Sequence, residues 1–451
     1  MNLVALPILE LTLALPWVGA ATIAILRNSP STARVCFGFL ALLLAAVAVI
    51  AFSMGAAPTL SSRTFAIDAV SAPLLPVLVV LHILTLLGTA KSRVTPVLCA
   101  RILLSAFVGL AVVTCQDPWI LIQLLSASTL LPYWELRSLG KPTRGFVLHM
   151  SGFVIFLAGG QFLLESGSRF AGYTLLTLAL LIRGGIAPVH GWVPRLFQQV
   201  SYATAMLFVL PLMEVAAALR LLIPGAPAAL LDAAGVAALI TAIYAGGLAL
   251  VQSDVRRFYS HLCLSQTSLV FFGVMLHSAN GLTAALCLWV STALSLACLA
   301  FSLRAMEARF GPLPLDRYHG HYSQVPGIAI AFLITGLASV GFPGTVGFLP
   351  LELLFAGSVD RGLGVSFALA LATMLNGIAI LRAYFALFTG RRPALPISLP
   401  ATRLERTGII LIALIVFAGA WLSPEIVSSR HRVAESLLGL PTSTPTPTLE
   451  H

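Results

Sequence analysis

Runs of about twenty residues without a charge recur along this chain, as in VCFGFLALLLAAVAVIAF at 35–52. A helix needs about 20 mostly apolar residues to cross the hydrocarbon core of a bilayer. About fourteen such segments can be read, centred near residues 15, 45, 79, 105, 125, 156, 180, 212, 240, 268, 292, 335, 372 and 416. The expected fold is therefore all-α, a polytopic membrane protein of about fourteen transmembrane helices. Only 9% of the 451 residues are charged, against roughly a quarter in soluble domains. The longest polar connection, 305–325, leaves no room for a soluble domain. One transmembrane domain over 1–425 is expected, followed by a flexible tail over 426–451. The Pro/Thr run from Pro441 to Thr448 cannot bury a core, and Leu449, Glu450 and His451 read as the start of a fusion tag.

The formal charge of +10 would suggest nucleic acid in a soluble protein, but here the basic residues sort by loop. Arg27 and Arg34 follow segment one, Lys91 and Arg93 segment three, Arg137, Lys141 and Arg144 segment five, and Arg195 segment seven. Arg256 and Arg257 follow nine, Arg304, Arg309 and Arg317 eleven, and Arg391, Arg392, Arg403 and Arg406 thirteen. The even loops hold little beyond Arg63, Arg169 and Arg361. By the positive-inside rule the odd loops are cytoplasmic and both termini external, and no nucleic-acid partner is implied. Residues 1–26 lack the basic leader and short apolar run of a signal peptide and read as helix one. The six cysteines show no paired metal-type spacing, so neither a zinc site nor a disulfide framework is expected.

Two segments carry helix breakers at bilayer depth. Segment seven reads LIRGGIAPVHGW, with Gly184, Gly185 and Pro188; segment twelve reads GLASVGFPGTVGF, with Gly341, Pro343, Gly344 and Gly347. Broken backbone at that depth is tolerated only where protein or water satisfies it. The two breaks lie five helices apart, an odd offset that reverses orientation and points to inverted repeats with a pathway between them. Two unrelated packing kinks are the alternative.

The stretch ALVQSDVRRFYSHLCLSQ retains Gln252, Asp254, the basic pair Arg256 and Arg257, Ser265 and Gln266 of a pattern close to A-L-x-Q-x-D-x-K-R-x-x-A-Y-S-S-x-S-Q. RGGIAPVHGWVP similarly resembles K-x-P-x-x-P-x-H-x-W-x-P, keeping Pro188, His190, Trp192 and Pro194, and the segment-twelve break resembles L-A-x-x-G-x-P-P/G-x-x-G-F. In these motifs the chain resembles the antiporter-like proton-translocating subunits of respiratory complex I and the Mrp cation/proton antiporters. The resemblance implies fourteen helices, with helices four to eight and nine to thirteen as inverted repeats. Asp254 and the arginines then mark a cytoplasmic helix boundary, where the acid can cap or pair.

Departures from the family pattern are equally informative. The family's helix-five glutamate falls near Ser126 or Ala127, and Arg183 replaces the helix-seven lysine. Arginine keeps its proton under essentially all conditions and cannot relay one. Segment eleven has Ser291, Thr292 and Leu296 where members often show polar, histidine and lysine positions, and the only lysines are Lys91 and Lys141. Ionisable groups inside spans cost about 2.5–3.5 kcal/mol on insertion scales, so those that persist need a reason. Glu214 on segment eight could form a charge-swapped pair with Arg183, as a static lock or as a gate. Glu352 after the segment-twelve break is the best single candidate for a protonatable site, and His190 and His261 could titrate or simply pack. Arg101 and Arg382 are expected to snorkel or face a partner, and Glu135 to lie in a solvated loop.

No nucleotide loop or cysteine cluster occurs, so no cofactor or metal is expected. The expected role is a bacterial inner-membrane subunit that conducts protons or a cation and couples the gradient to a partner. Partners implied by the resemblance are a redox module, Mrp-type subunits, or the carbonic-anhydrase-like subunit of inorganic-carbon uptake systems. The alternatives are a non-conducting scaffold that has lost its relay, and an independent anion transporter built on Arg183.

Overall fold

The computed structural model describes residues 6–26, 31–53, 60–61, 64–89, 94–390, 403–421 and 423–440. Arg27, Arg63, Lys91, Arg93, Arg391, Arg392 and the expected tag at 449–451 lie outside the described residues. The chain is almost entirely helical. Helices α1 (Leu6–Ile25), α2 (Thr32–Ser53), α3 (Leu74–Leu87) and α4 (Pro96–Thr114) precede a first broken segment, α5 (Pro118–Ser128) and α6 (Leu130–Ser138). Next come α7 (Arg144–Glu165), then α8 (Arg169–Gly184) with α9 (Trp192–Gln199), then α10 (Tyr202–Val209) with α11 (Met213–Leu221). The second half contains α12 (Ala228–Val251), α13 (Val255–Met275) and α14 (Ala279–Phe310), then α15 (Pro326–Ser339) with α16 (Phe348–Val359), and α17 (Leu363–Phe388). Helices α18 (Arg403–Trp421) and α19 (Ser423–Leu437) close the chain.

Among the described residues, seven helical spans are long and apolar enough to cross a membrane, or eight if α8 and α9, bent by 41°, count as one. Five further apolar helices are shorter. The chain is thus a multi-pass membrane protein. Its centre is the segment 202–219, wholly buried, packed against α3, α4 and α8 and also against α13 and the 32-residue α14. Helices α2, α7 and α17 form the periphery and present apolar side chains outward, as bilayer solvation demands.

Both expected breaks exist. Helix α8 ends at Gly184, and Gly185 takes φ 67°, a conformation natural to glycine; an added Cβ there would also sit 2.7 Å from Val193 Cγ2. Between α15 and α16 the chain turns through Gly341 at φ 75° and Gly344 at φ 81°, flanking Pro343. Helix α13 is capped as expected, since Asp254 Oδ1 accepts from the backbone N–H of Arg256 at 3.1 Å and Arg257 at 3.0 Å.

The tail differs from expectation. Residues 423–437 are helical; Val433 and Ala434 are buried as α19 packs along α14, and Arg430 donates to the Ala69 carbonyl at 2.6 Å. The flexible segment expected from residue 426 therefore begins as structure, because an amphipathic helix can bury one face even where mean hydropathy is low.

Replacing Asp254 with Ala should cost about 1 kcal/mol through loss of the cap. The exposed Arg257→Ala, which leaves the cap intact, should change stability by less than about 0.5 kcal/mol; reversible unfolding in mixed detergent micelles compares the two.

Candidate functional site

A further break, unforeseen from the glycine pattern, builds the centre of the molecule. Pro211 has no N–H to continue the helix, and Leu212 takes φ 50°, so α10 and α11 are separate half-helices. The carbonyls freed there are claimed from outside the helix. Arg183 donates to the Phe208 carbonyl at 2.8 Å, and its guanidinium carbon lies 3.8 Å from the Phe208 ring centroid. Trp289 donates from its indole nitrogen to the Pro211 carbonyl at 3.1 Å.

Arg183 stands in the last turn of α8 and Glu214 in the first turn of α11, so each charge meets the helix end of opposite polarity. The two are 3.8 Å apart and only 1% and 3% exposed. At an effective dielectric of about 20 their attraction is roughly 4 kcal/mol, less than the several kcal/mol needed to bury each ion. The helix ends, the Phe208 carbonyl and its ring supply the remainder. The pair is also loose. Arg183 Nε and Glu214 Oε2 have no hydrogen-bond partner, so the carboxylate keeps an acceptor in reserve.

A cavity of about 250 Å³ opens toward one end of the bundle, lined by Arg101, Glu135, Tyr202, Arg256, Arg304 and Glu307. A smaller one, about 20 Å³ and enough for about one water, reaches from Arg101 to Phe208 and Met213, beside the buried pair. On the other side, a cavity of about 290 Å³ is bordered by Ala216, Leu219 and Arg220, one to two turns along α11 from Glu214. There Arg220 pairs with Asp68 at 3.2 Å and donates to Gln116 Oε1 at 2.8 Å. Met213, next to Glu214, lines the 20 Å³ cavity, and α11 runs on from the pair to Ala216, Leu219 and Arg220 at the 290 Å³ one.

Several expected positions differ. Glu135 is buried on α6 and is no loop residue: Oε2 accepts from Arg101 at 3.0 Å and from the Thr204 hydroxyl, and Oε1 accepts from the Ser201 N–H at 2.8 Å. Arg101 accordingly locks α4 to α6 and does not snorkel. Arg382 likewise turns inward, donating to the carbonyls of Gln252 at 3.0 Å and Leu315 at 3.3 Å. Glu352 is exposed on α16, with no hydrogen bond or ion pair among the described residues, so it does not join the pathway side chains. The exposure follows from the break at 340–347, which turns that face of α16 outward.

His190 is half-buried, edge-on to Tyr244 at 5.1 Å, with Nδ1 unpartnered; His261 shares Nδ1 with the Arg257 carbonyl at 2.8 Å. Gln252 donates to the Leu248 carbonyl at 3.0 Å. Arg256 reaches Glu307 through Nε at 2.9 Å and a terminal nitrogen at 2.8 Å, and also donates to the Val200 carbonyl at 3.2 Å, tying the end of α9 to α14. In the second half, Asn376 donates to Ser265 at 2.8 Å, Ser265 donates to the Ala242 carbonyl at 2.7 Å, and Gln266, Thr292 and Ser295 each hold an unpartnered polar atom. Apart from His261, these buried groups of the second half are amides and hydroxyls. All six cysteines are free and buried, and no cluster of metal-ligating side chains exists among the described residues.

Residues 145–376 match the profile of a family described as the NADH:quinone oxidoreductase/Mrp antiporter transmembrane region. NADH-quinone oxidoreductase subunit M of Rickettsia bellii is 24% identical over 262 residues, covering 57% of this chain and 49% of that protein. The chain spans about half the length of the relatives it matches. In fold it is similar to a chain of respiratory complex I from Thermus thermophilus with bound NADH, at TM-score 0.84 and 20% identity over 96% of this chain and 99% of that one. A chain of the Mrp complex from Dietzia superposes at TM-score 0.80 and 18% identity, over 95% and 98%.

Removing either partner of the central pair should destabilise the fold by about 3–5 kcal/mol, because the other charge is left buried alone. The double replacement Arg183→Met with Glu214→Leu should cost less than either single change. A double-mutant cycle on unfolding in detergent checks this coupling.

Proposed function

Because the chain belongs to the NADH:quinone oxidoreductase/Mrp antiporter transmembrane family, we propose that it is the ion-conducting membrane subunit of a larger complex, with Glu214 as its proton-exchanging group. The single observation carrying this reading is a buried carboxylate with a free acceptor oxygen, beside a cation that cannot release its proton. Arg183 offsets part of the cost of an ionised Glu214 carboxylate in this buried place. A proton arriving through water in one cavity neutralises the carboxylate, weakens its attraction to Arg183, and can leave toward the other cavity. The Arg101–Glu135–Thr204 cluster stands on that route and supplies a second carboxylate at the 250 Å³ cavity.

On this reading, pairing α5 with α6, α8 with α9, α10 with α11, and α15 with α16 as broken spans, and leaving the amphipathic α19 out of the bilayer, gives fourteen crossings. Helices four to eight and nine to thirteen then form the inverted repeats, the odd loops face the cytoplasm, both termini are external, and the host is the bacterial inner membrane. The partner is a redox module, a set of Mrp-type subunits, or a carbonic-anhydrase-like subunit of inorganic-carbon uptake. A non-conducting scaffold is the second reading, favoured by the neutral second half of the molecule.

The test is proton flux through the native complex in liposomes. Glu214→Gln should lower flux at least about tenfold, one charge-assisted interaction's worth, while Glu214→Asp keeps part of it and Glu352→Gln stays within about twofold. A parent complex without flux establishes the scaffold; a Glu214→Gln complex that conducts as well as the parent removes Glu214 from the route.

A further inference from the structure

The 250 Å³ cavity carries a charge imbalance that ion conduction does not require. Of its three guanidinium groups, Arg101 is neutralised by Glu135 at 3.0 Å and Arg256 by Glu307 at 2.8 Å. Arg304 has neutral partners, donating to the Thr85 carbonyl at 2.9 Å and to the Thr89 hydroxyl. The described lining therefore holds one positive charge in excess. Beside it stands Tyr202, only 3% exposed, whose hydroxyl has no hydrogen-bond partner. A buried donor left unsatisfied costs about 1–3 kcal/mol, so a hydroxyl and a surplus guanidinium lining one cavity are suited to a shared acceptor.

The cavity's place in the fold narrows the acceptor. Its walls come from the end of α3, the starts of α4, α10 and α13, and the ends of α6 and α14, so it lies where one end of the bundle meets headgroup depth. Glu135 and Glu307 disfavour a multiply charged anion, whereas a single negative charge balances the surplus. A phosphate group matches the forked donors of a guanidinium. Leu139, a wall residue that is 52% exposed, puts an apolar surface at the mouth.

We propose that this cavity binds one monoanionic phosphate group, supplied by the headgroup of an anionic phospholipid and held by Arg304 and Tyr202. The assignment does not depend on ion conduction and is tested by binding alone.

Native mass spectrometry of the full chain, titrated separately with phosphatidylglycerol, phosphatidylcholine and inorganic phosphate at fixed ionic strength, reads the site directly. Phosphatidylglycerol should occupy one saturable site that phosphatidylcholine does not fill. Arg304→Gln should weaken that binding at least about tenfold, the loss of one charge-assisted hydrogen bond, and Tyr202→Phe about fivefold. Tyr202→Phe removes a hydroxyl that holds nothing in the protein, so it keeps the fold if Arg304→Gln does not. Displacement of phosphatidylglycerol by inorganic phosphate in the parent, and less readily in Tyr202→Phe, keeps the phosphate site but assigns it to the free anion. Equal binding of the two lipids, or a Tyr202→Phe chain that binds phosphatidylglycerol like the parent, overturns the proposal.

Discussion

A membrane interior leaves no backbone carbonyl to water, and the contact between Arg183 and the Phe208 carbonyl is how this molecule meets that condition at its centre. Pro211 cuts the helix, the cut frees carbonyls, and the freed carbonyls call for donors that can be buried. Arginine is suited to the place. Its guanidinium serves the carbonyl, the Phe208 face and the Glu214 charge at once, whereas the point charge of a lysine ammonium has no planar fork to divide among them. The same cut gives α11 an N-terminus in the buried core, and Glu214 sits in its first turn. Broken backbone, cation and carboxylate are therefore one construction, and removing any member exposes a cost that the other two were offsetting.

Much of this was legible in the sequence, for stated reasons. Apolar runs report the all-helical membrane fold because bilayer thickness sets their length, and glycines beside proline report the breaks at 184–188 and 341–347 because few other residues adopt those backbone angles. The Arg183–Glu214 pair was legible because two isolated charges in apolar spans need each other. The break at Pro211 was missed although its signal, LPLMEV, is in plain view; a lone proline without glycine reads as a kink, and Leu212 in a left-handed conformation has no compositional mark. Glu135 was misplaced because RSLGK after it has the composition of a loop, while its burial depends on Arg101, Ser201 and Thr204, distant in sequence. Glu352 was overvalued because helical phase after a break cannot be read from the residues before it.

The two halves of the molecule share broken helices yet have diverged in chemistry. Around α10 and α11 the buried polar groups are charged: Arg183, Glu214, and Glu135 with Arg101. Around α13, α14 and α17 they are mostly amides and hydroxyls, with Asn376, Ser265, Gln266, Thr292 and Ser295 in the corresponding interior and His261 on α13. Amides and hydroxyls orient water but do not store a proton at neutral pH, so the second half can hydrate a path without gating it.

This asymmetry constrains where any moving charge can be held. A relay with a lysine stores its proton on the cation and passes it on by deprotonation; with arginine in that seat the cation is permanent, and the only occupancy that can change is on the carboxylate. The empty pair is then neutral overall and the loaded pair positive, one charge above a lysine–carboxylate pair in each state. A fixed positive charge in this pair repels a second cation while Glu214 is neutral and tolerates one while it is ionised. On the proposed reading, any change of charge at this site is therefore a change at one buried carboxylate, Glu214.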